Sequence, residues 1–146
     1  IKLSAIGNLD SLNSKNRKKL DEVIRKTSGN KKLVLTLAIS YGFRQELTYA
    51  IGTIADKVKN NIISQENIDE NIINEHLYTR NLPDVDLLIR TGGELRVSNF
   101  LLWQIAYAEL YFSEILWPDF RKEDFFNAIN SYQKRERRFG KISEQK

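Results

Sequence analysis

The densest run of chemistry-bearing residues lies between Arg90 and Ser98, where two arginines, a serine hydroxyl and the Gly92-Gly93 pair fall within nine residues. Each guanidinium offers forked hydrogen bonds that match phosphate oxygens. The serine adds a hydroxyl donor, and paired glycines let backbone N–H groups turn toward a ligand. Together these groups suit a diphosphate. The same residues admit a plainer role, with Arg90 paired to a carboxylate such as Asp86 and Arg96 a solvated surface charge. Spacing alone does not choose between the two.

Glu109 is the next candidate, set in the otherwise apolar stretch Ile105 to Phe112. A carboxylate in such surroundings needs a partner, and either Mg2+ or an arginine would serve. His76, the single histidine, has no second ligand at a productive spacing, so a zinc site is not expected. No G-x-S-x-G turn offers a nucleophile. The basic run Lys134 to Gly140 lacks interleaved aromatics beyond Phe139, so it reads as a charged helix end and no nucleic-acid partner is expected.

The elements that must position these groups follow from periodicity. Ile1 to Ile6 reads as a strand and residues 14–27 as a basic amphipathic helix ended by Gly29-Asn30. Leu33 to Ile39 is an almost unbroken apolar run that suits a strand covered on both faces, as in a parallel sheet. Leu47, Ala50, Ile51, Ile54, Ala55 and Val58 mark a second helix. A third starts near Asn67, with Asn67 and Glu70 as a capping box. Val85 to Ile89 returns to strand, Phe100 to Phe112 mixes helix and strand signals, and a last helix follows Pro118-Asp119 and ends at Gly140. The order β-α-β-α-α-β-(mixed)-α predicts an α/β fold with a mainly parallel central sheet flanked by helices. In such sheets ligands bind beyond the carboxyl ends of the strands. Two segments sit there: Ile39 to Arg44, and Arg90 to Asn99.

The 146 residues suit one domain. With no cysteine, disulfide frameworks and thiolate chemistry are excluded. No apolar run approaches the roughly 20 residues that span a bilayer, and the first residues do not form a signal peptide. A formal net charge of +4 favours anionic partners without choosing among them. There is no methionine, and the chain opens inside a strand-like element. Both features lead us to expect natural sequence upstream.

The run Asp86-Leu87-Leu88-Ile89-Arg90-Thr91-Gly92-Gly93-Glu94-Leu95-Arg96-Val97-Ser98-Asn99-Phe100 closely resembles the signature of cis-prenyltransferases of the bacterial undecaprenyl diphosphate synthase type. Ala106 to Phe112, Leu116-Trp117-Pro118-Asp119-Phe120 and Arg135-Glu136-Arg137-Arg138-Phe139-Gly140 continue the resemblance in order. Upstream, Tyr41-Gly42-Phe43-Arg44 resembles the family's Tyr-Gly-Gly-Arg segment. The likeness extends over essentially the whole chain, which on this reading is the C-terminal part of one Rossmann-like cis-prenyltransferase domain.

The resemblance implies a transferase that condenses isopentenyl diphosphate onto farnesyl diphosphate repeatedly, with Mg2+, to build a long polyprenyl (undecaprenyl) diphosphate for a cell-wall lipid carrier. It implies that Arg90, Arg96 and Ser98 hold the isopentenyl diphosphate, that Arg44 belongs to the substrate-binding set, and that Glu109 helps bind Mg2+. It implies that the Arg138-Phe139-Gly140 end, with Gly140 as a substrate-side residue, reaches across a homodimer whose interface includes Phe100 to Tyr111. A cytoplasmic location and peripheral membrane contact through the product also follow from the family.

The chain departs from the family at Thr36, Ser40 and Phe43, and at Leu95, where some relatives carry a histidine beside the metal. The family's Asp-Gly-Asn-Gly-Arg segment, which carries the essential aspartate, is not within these residues. No catalytic residue is therefore assigned here, the aspartate is expected upstream, and this stretch alone is expected not to turn over. The alternative is a catalytically silent subunit of a two-subunit prenyltransferase. Retention of Arg90, Arg96, Ser98 and Glu109 favours the enzyme.

Overall fold

A computed structural model describes residues 1–135. Two compact units, Ile1–Pro83 and Asp84–Lys146, divide the chain.

The first unit holds β1 (Lys2–Ile6), α1 (Ser14–Thr27), β2 (Val34–Ala38), α2 (Phe43–Lys59) and α3 (Glu70–His76). β1 and β2 pair in parallel from Lys2 opposite Val34 to Ile6 opposite Ala38. α1 has the bounds its periodicity predicts. Its first turn is capped by Asn13, whose side chain accepts the Asn16 N–H at 2.9 Å. Its last residue is tied to the sheet, because Thr27 Oγ1 accepts the Leu3 N–H at 3.0 Å. Gly7, just past β1, has φ +106°, and a Cβ there would lie 2.1 Å from the Ile39 carbonyl oxygen. Only glycine allows the two chain segments to pass so closely.

α2 supplies the core of this unit through Phe43, Ala50 and Ile54, joined by Leu77. It also buries Glu46 completely. A carboxylate so placed must be matched. Glu46 accepts the Tyr41 hydroxyl at 2.5 Å and the Tyr78 backbone N–H at 2.7 Å, which staples the start of α2 to the segment after α3. Burial first, then the neighbouring Tyr49, Glu46 and Asp10, holds the Tyr78 phenol above the usual tyrosine range. Tyr41→Phe removes one donor from this buried carboxylate and leaves the Tyr78 N–H in place. Losing a hydrogen bond to a charged group is expected to cost about 1.5–3 kcal/mol. That lowers the melting temperature by roughly 3–12 °C for a chain of this size, as a thermal melt would record.

Two expectations change here. α3 begins at Glu70 rather than near Asn67, because residues 65–67 form a separate 3-10 turn. Its cap is Asp69, which accepts the Ile72 N–H at 2.8 Å. The apolar strand β2 is not covered on both faces. Val34 and Leu35 are about half exposed, and β1 is its only strand partner among the described residues.

The second unit holds β3 (Leu87–Arg90), β4 (Glu109–Phe112) and α4 (Lys122–Gln133). β3 and β4 are again parallel, with Leu87 opposite Glu109 and Arg90 opposite Phe112. The aromatic stretch of mixed signals thus resolves into turns followed by a four-residue strand. At the head of α4 the Asp124 carboxylate accepts the Arg121 N–H at 2.8 Å, and Ala128 packs inside with no exposed surface. α4 closes at Gln133, with Lys134 as its cap. The expected stop at Gly140 lies outside the described residues. Parallel strands flanked by helices in both units make this an α/β protein, as the element order predicts.

Candidate functional site

The candidate diphosphate loop leaves the carboxyl end of β3. Arg90 is the last residue of that strand, so strand alternation sends Ile89 and Thr91 to the other face. On that side Ile89, Thr91, Trp117, Phe120 and Phe125, with the cationic Arg121 and Lys122, line a largely apolar cavity of about 640 Å3. The Arg90 side chain and this cavity therefore lie on opposite sides of β3.

The loop is braced from within. Arg90 Nη1 donates to the Arg96 carbonyl oxygen and to Ser98 Oγ, the latter at 3.2 Å. Arg90, the Arg96 backbone and Ser98 are thereby brought together. The Arg96 guanidinium turns instead to the Glu94 carboxylate, with both side chains open to water. Ser98 has φ +53°, so the loop takes a left-handed bend at a non-glycine residue. Among the described residues no carboxylate pairs with Arg90. The Asp86 pairing that would have made it a plain structural residue is replaced by contacts to its own loop.

The glycines behave differently from the expectation. Gly92 and Gly93 adopt φ +90° and +77°. Their N–H groups donate to the Ile115 and Ser113 carbonyls, both at 2.9 Å. They tie the loop to residues 113–115, just past β4, and are already taken within the chain. The left-handed geometry explains why glycine is needed there.

Glu109 opens β4 opposite Leu87, three residues down β3 from Arg90. At about 3.3 Å per residue that places it roughly 10 Å along the strand from the loop. Its carboxylate is met by Arg135 Nη1 at 2.7 Å, and the same nitrogen donates to the Leu110 carbonyl at 3.1 Å. Of the two partners the sequence admits for Glu109, the structure supplies the arginine. Arg135 was not singled out by spacing, since it sits inside a run of basic residues. Glu94 was missed as the partner of Arg96 for a similar reason: an ion pair two residues apart in a loop has no periodic signature.

Arg44 lies in the first turn of α2. With Gln45, Thr48 and Tyr49 it lines a shallow cavity of about 390 Å3. Gly140 and its Arg138-Phe139-Gly140 segment lie outside the described residues. Among the described residues no three His, Asp or Glu side chains cluster as a metal cage. Mg2+ does not require one, because it is commonly held by one or two carboxylates together with substrate phosphate oxygens and water. Glu109 fits that donor set, on the condition that Arg135 gives it up.

These features define an α/β protein with parallel strands and a basic, hydroxyl-bearing loop at a strand end. The chain belongs to the family described as putative undecaprenyl diphosphate synthase, whose model matches residues 1–140. It is 49% identical over 145 residues to an isoprenyl transferase of Chlorobaculum tepidum, covering 99% of this chain and 55% of that protein. It is 45% identical over 140 residues to the ditrans,polycis-undecaprenyl-diphosphate synthase ((2E,6E)-farnesyl-diphosphate specific) of Escherichia coli, covering 96% of this chain and 55% of that protein. Among solved structures, lavandulyl diphosphate synthase from Lavandula x intermedia, in complex with dimethylallyl diphosphate, superposes with a TM-score of 0.92 at 38% identity. That match covers 96% of this chain and 60% of the other. The chain thus spans little more than half the length of the curated relatives it matches.

Proposed function

We propose that this chain carries the isopentenyl diphosphate site of a cis-prenyltransferase that elongates an allylic diphosphate such as farnesyl diphosphate. The observation that carries the reading is the loop braced by Arg90 at the end of β3, in a chain that belongs to this family. In the condensation, the double bond of isopentenyl diphosphate attacks the allylic C1. The allylic C–O bond breaks, diphosphate leaves, and a proton is lost to form the new double bond. The diphosphate of isopentenyl diphosphate stays attached throughout, so the groups that hold it act by positioning.

Arg90 has its place set by the loop and points one guanidinium edge at Ser98. Arg96 reaches the substrate by leaving Glu94. An exposed ion pair of that kind is worth only about 0.2–1 kcal/mol, less than the charge-assisted bonds to a diphosphate that would replace it. Ser98 Oγ accepts from Arg90, which leaves its proton to donate to a phosphate oxygen. Glu109, released by Arg135, would hold Mg2+, which when bound neutralises charge on the diphosphates. Arg44 contributes to substrate binding from α2. The family's Asp-Gly-Asn-Gly-Arg aspartate is not among these 146 residues, which on this reading are part of one enzyme domain whose product is a long polyprenyl diphosphate.

The experiment is incorporation of radiolabelled isopentenyl diphosphate with farnesyl diphosphate and Mg2+. The 146 residues alone are expected to give no extractable polyprenyl product. Robust elongation by a mass-verified 146-residue protein would contradict the division of labour proposed here.

We also propose a homodimer. Phe100, Leu102 and Tyr107 are all at least one third exposed, and an apolar patch of that kind is characteristic of a subunit interface. Light scattering of the full-length protein at micromolar concentration should report twice its monomer mass. A monomer would remove this part of the reading.

A further inference from the structure

We infer that the basic face of α1 is a docking surface for an anionic phospholipid bilayer. The charge of this chain is unevenly placed. The first 32 residues hold nine Lys or Arg against three Asp or Glu, so their excess is larger than the chain's whole net charge of +4. At about 100° per residue, Lys15, Lys18, Lys19, Arg25 and Lys26 fall on one arc of roughly 120° of α1. All five are exposed. Lys26 is bridged to Glu22 at 2.7 Å, but Lys15, Lys18, Lys19 and Arg25 hold no ion pair among the described residues. Arg17, on the flank of this arc, is neutralised by Asp10 and Asp21. Lys31 and Lys32 follow the end of α1, and the Lys2 N–H to Leu33 carbonyl bond at 2.8 Å ties that segment to the start of β1. The opposite side of the helix, through Leu20, Ile24 and Thr27, is turned inward. The cationic arc is therefore fixed outward by the packing of the helix.

Lipid headgroups fit this surface better than nucleic acid does. No aromatic residue occurs before Tyr41, so the surface has no platform on which bases could stack. Its cations are mostly lysines, which act as point charges on headgroups and lack the fork that reads bases. A bilayer also accounts for the placement of the patch on an enzyme whose product carries a long apolar chain, an argument that rests on the function proposed above.

The test is co-sedimentation of the chain with vesicles of phosphatidylcholine alone and with vesicles containing phosphatidylglycerol. The chain should pellet with the anionic vesicles only. Raising salt to about 1 M, where the screening length shrinks to about 3 Å, should release it. The triple variant Lys15→Gln, Lys18→Gln, Lys19→Gln should lose on the order of a hundredfold in partition, about fivefold per lysine. A control with the same charge change elsewhere, Lys59→Gln, Lys122→Gln, Lys134→Gln, should stay within about threefold of the parent. Circular dichroism establishes that both variants fold. Equal pelleting with neutral vesicles, equal losses in the two variants, or tighter binding of a single-stranded oligonucleotide than of anionic vesicles would each overturn the inference. Vesicle binding needs no turnover. A chain that binds vesicles but not isopentenyl diphosphate sinks the functional reading alone, and the reverse result sinks only this one.

Discussion

Replacing Arg90 with alanine is expected to weaken isopentenyl diphosphate binding roughly ten- to a hundredfold. A hydrogen bond to a charged group contributes about 1.5–3 kcal/mol, and 1.4 kcal/mol is tenfold in affinity. Arg90 carries two duties, because it also anchors the Arg96 carbonyl and Ser98. Its loss should therefore loosen the loop as well as remove a phosphate contact. Arg96→Ala should fall in the same range without that second effect, since its guanidinium pairs with the exposed Glu94 carboxylate. Arg→Lys should not rescue either position, because an ammonium cannot reproduce the planar fork. Calorimetric titration with isopentenyl diphosphate gives the affinities and a thermal melt separates the two duties. Variants that melt early yet bind like the parent would show that both arginines only brace the loop.

The second large effect concerns Glu109 and its guanidinium partner. If Glu109 serves Mg2+, then Glu109→Gln should raise the Mg2+ concentration needed for half-maximal substrate binding roughly ten- to a hundredfold. Arg135→Ala should shift it the other way, because the carboxylate is no longer shared with Arg135 Nη1 at 2.7 Å. A pair that only holds α4 near β4 behaves differently. With side chains 23% and 42% exposed, it would contribute no more than about 1 kcal/mol. Both variants would then lower the melting point slightly and equally, and the Mg2+ dependence would not move. Opposite shifts on the Mg2+ axis are the expected result.

The regular elements were legible where a pattern repeats. α1 has the bounds 14–27 that its apolar spacing predicts, and β2 pairs in parallel as expected, although the cover on both faces that its apolar run implied is not found. Legibility failed where the outcome depends on a single tertiary contact. The start of α3 turns on whether Asp69 or Asn67 caps it, and both are good caps by type. β4 lies in an aromatic stretch whose residues suit strand and helix alike, and only pairing with β3 decides. At the candidate site, the arginines and Ser98 were legible from composition, and the family resemblance supplied a substrate. The partners these groups take in the fold were not. Gly92 and Gly93 give their N–H groups to residues 113–115, and Arg135 claims Glu109. Such choices are made between segments 20 or more residues apart in sequence, where no local period reports them.

The most direct test is a crystal structure of the chain with isopentenyl diphosphate and Mg2+. The account predicts diphosphate oxygens within hydrogen-bonding distance of the Arg90 and Arg96 guanidinium groups and of Ser98 Oγ, with Arg96 turned away from Glu94. A diphosphate bound elsewhere, with Arg96 still paired to Glu94, would contradict it.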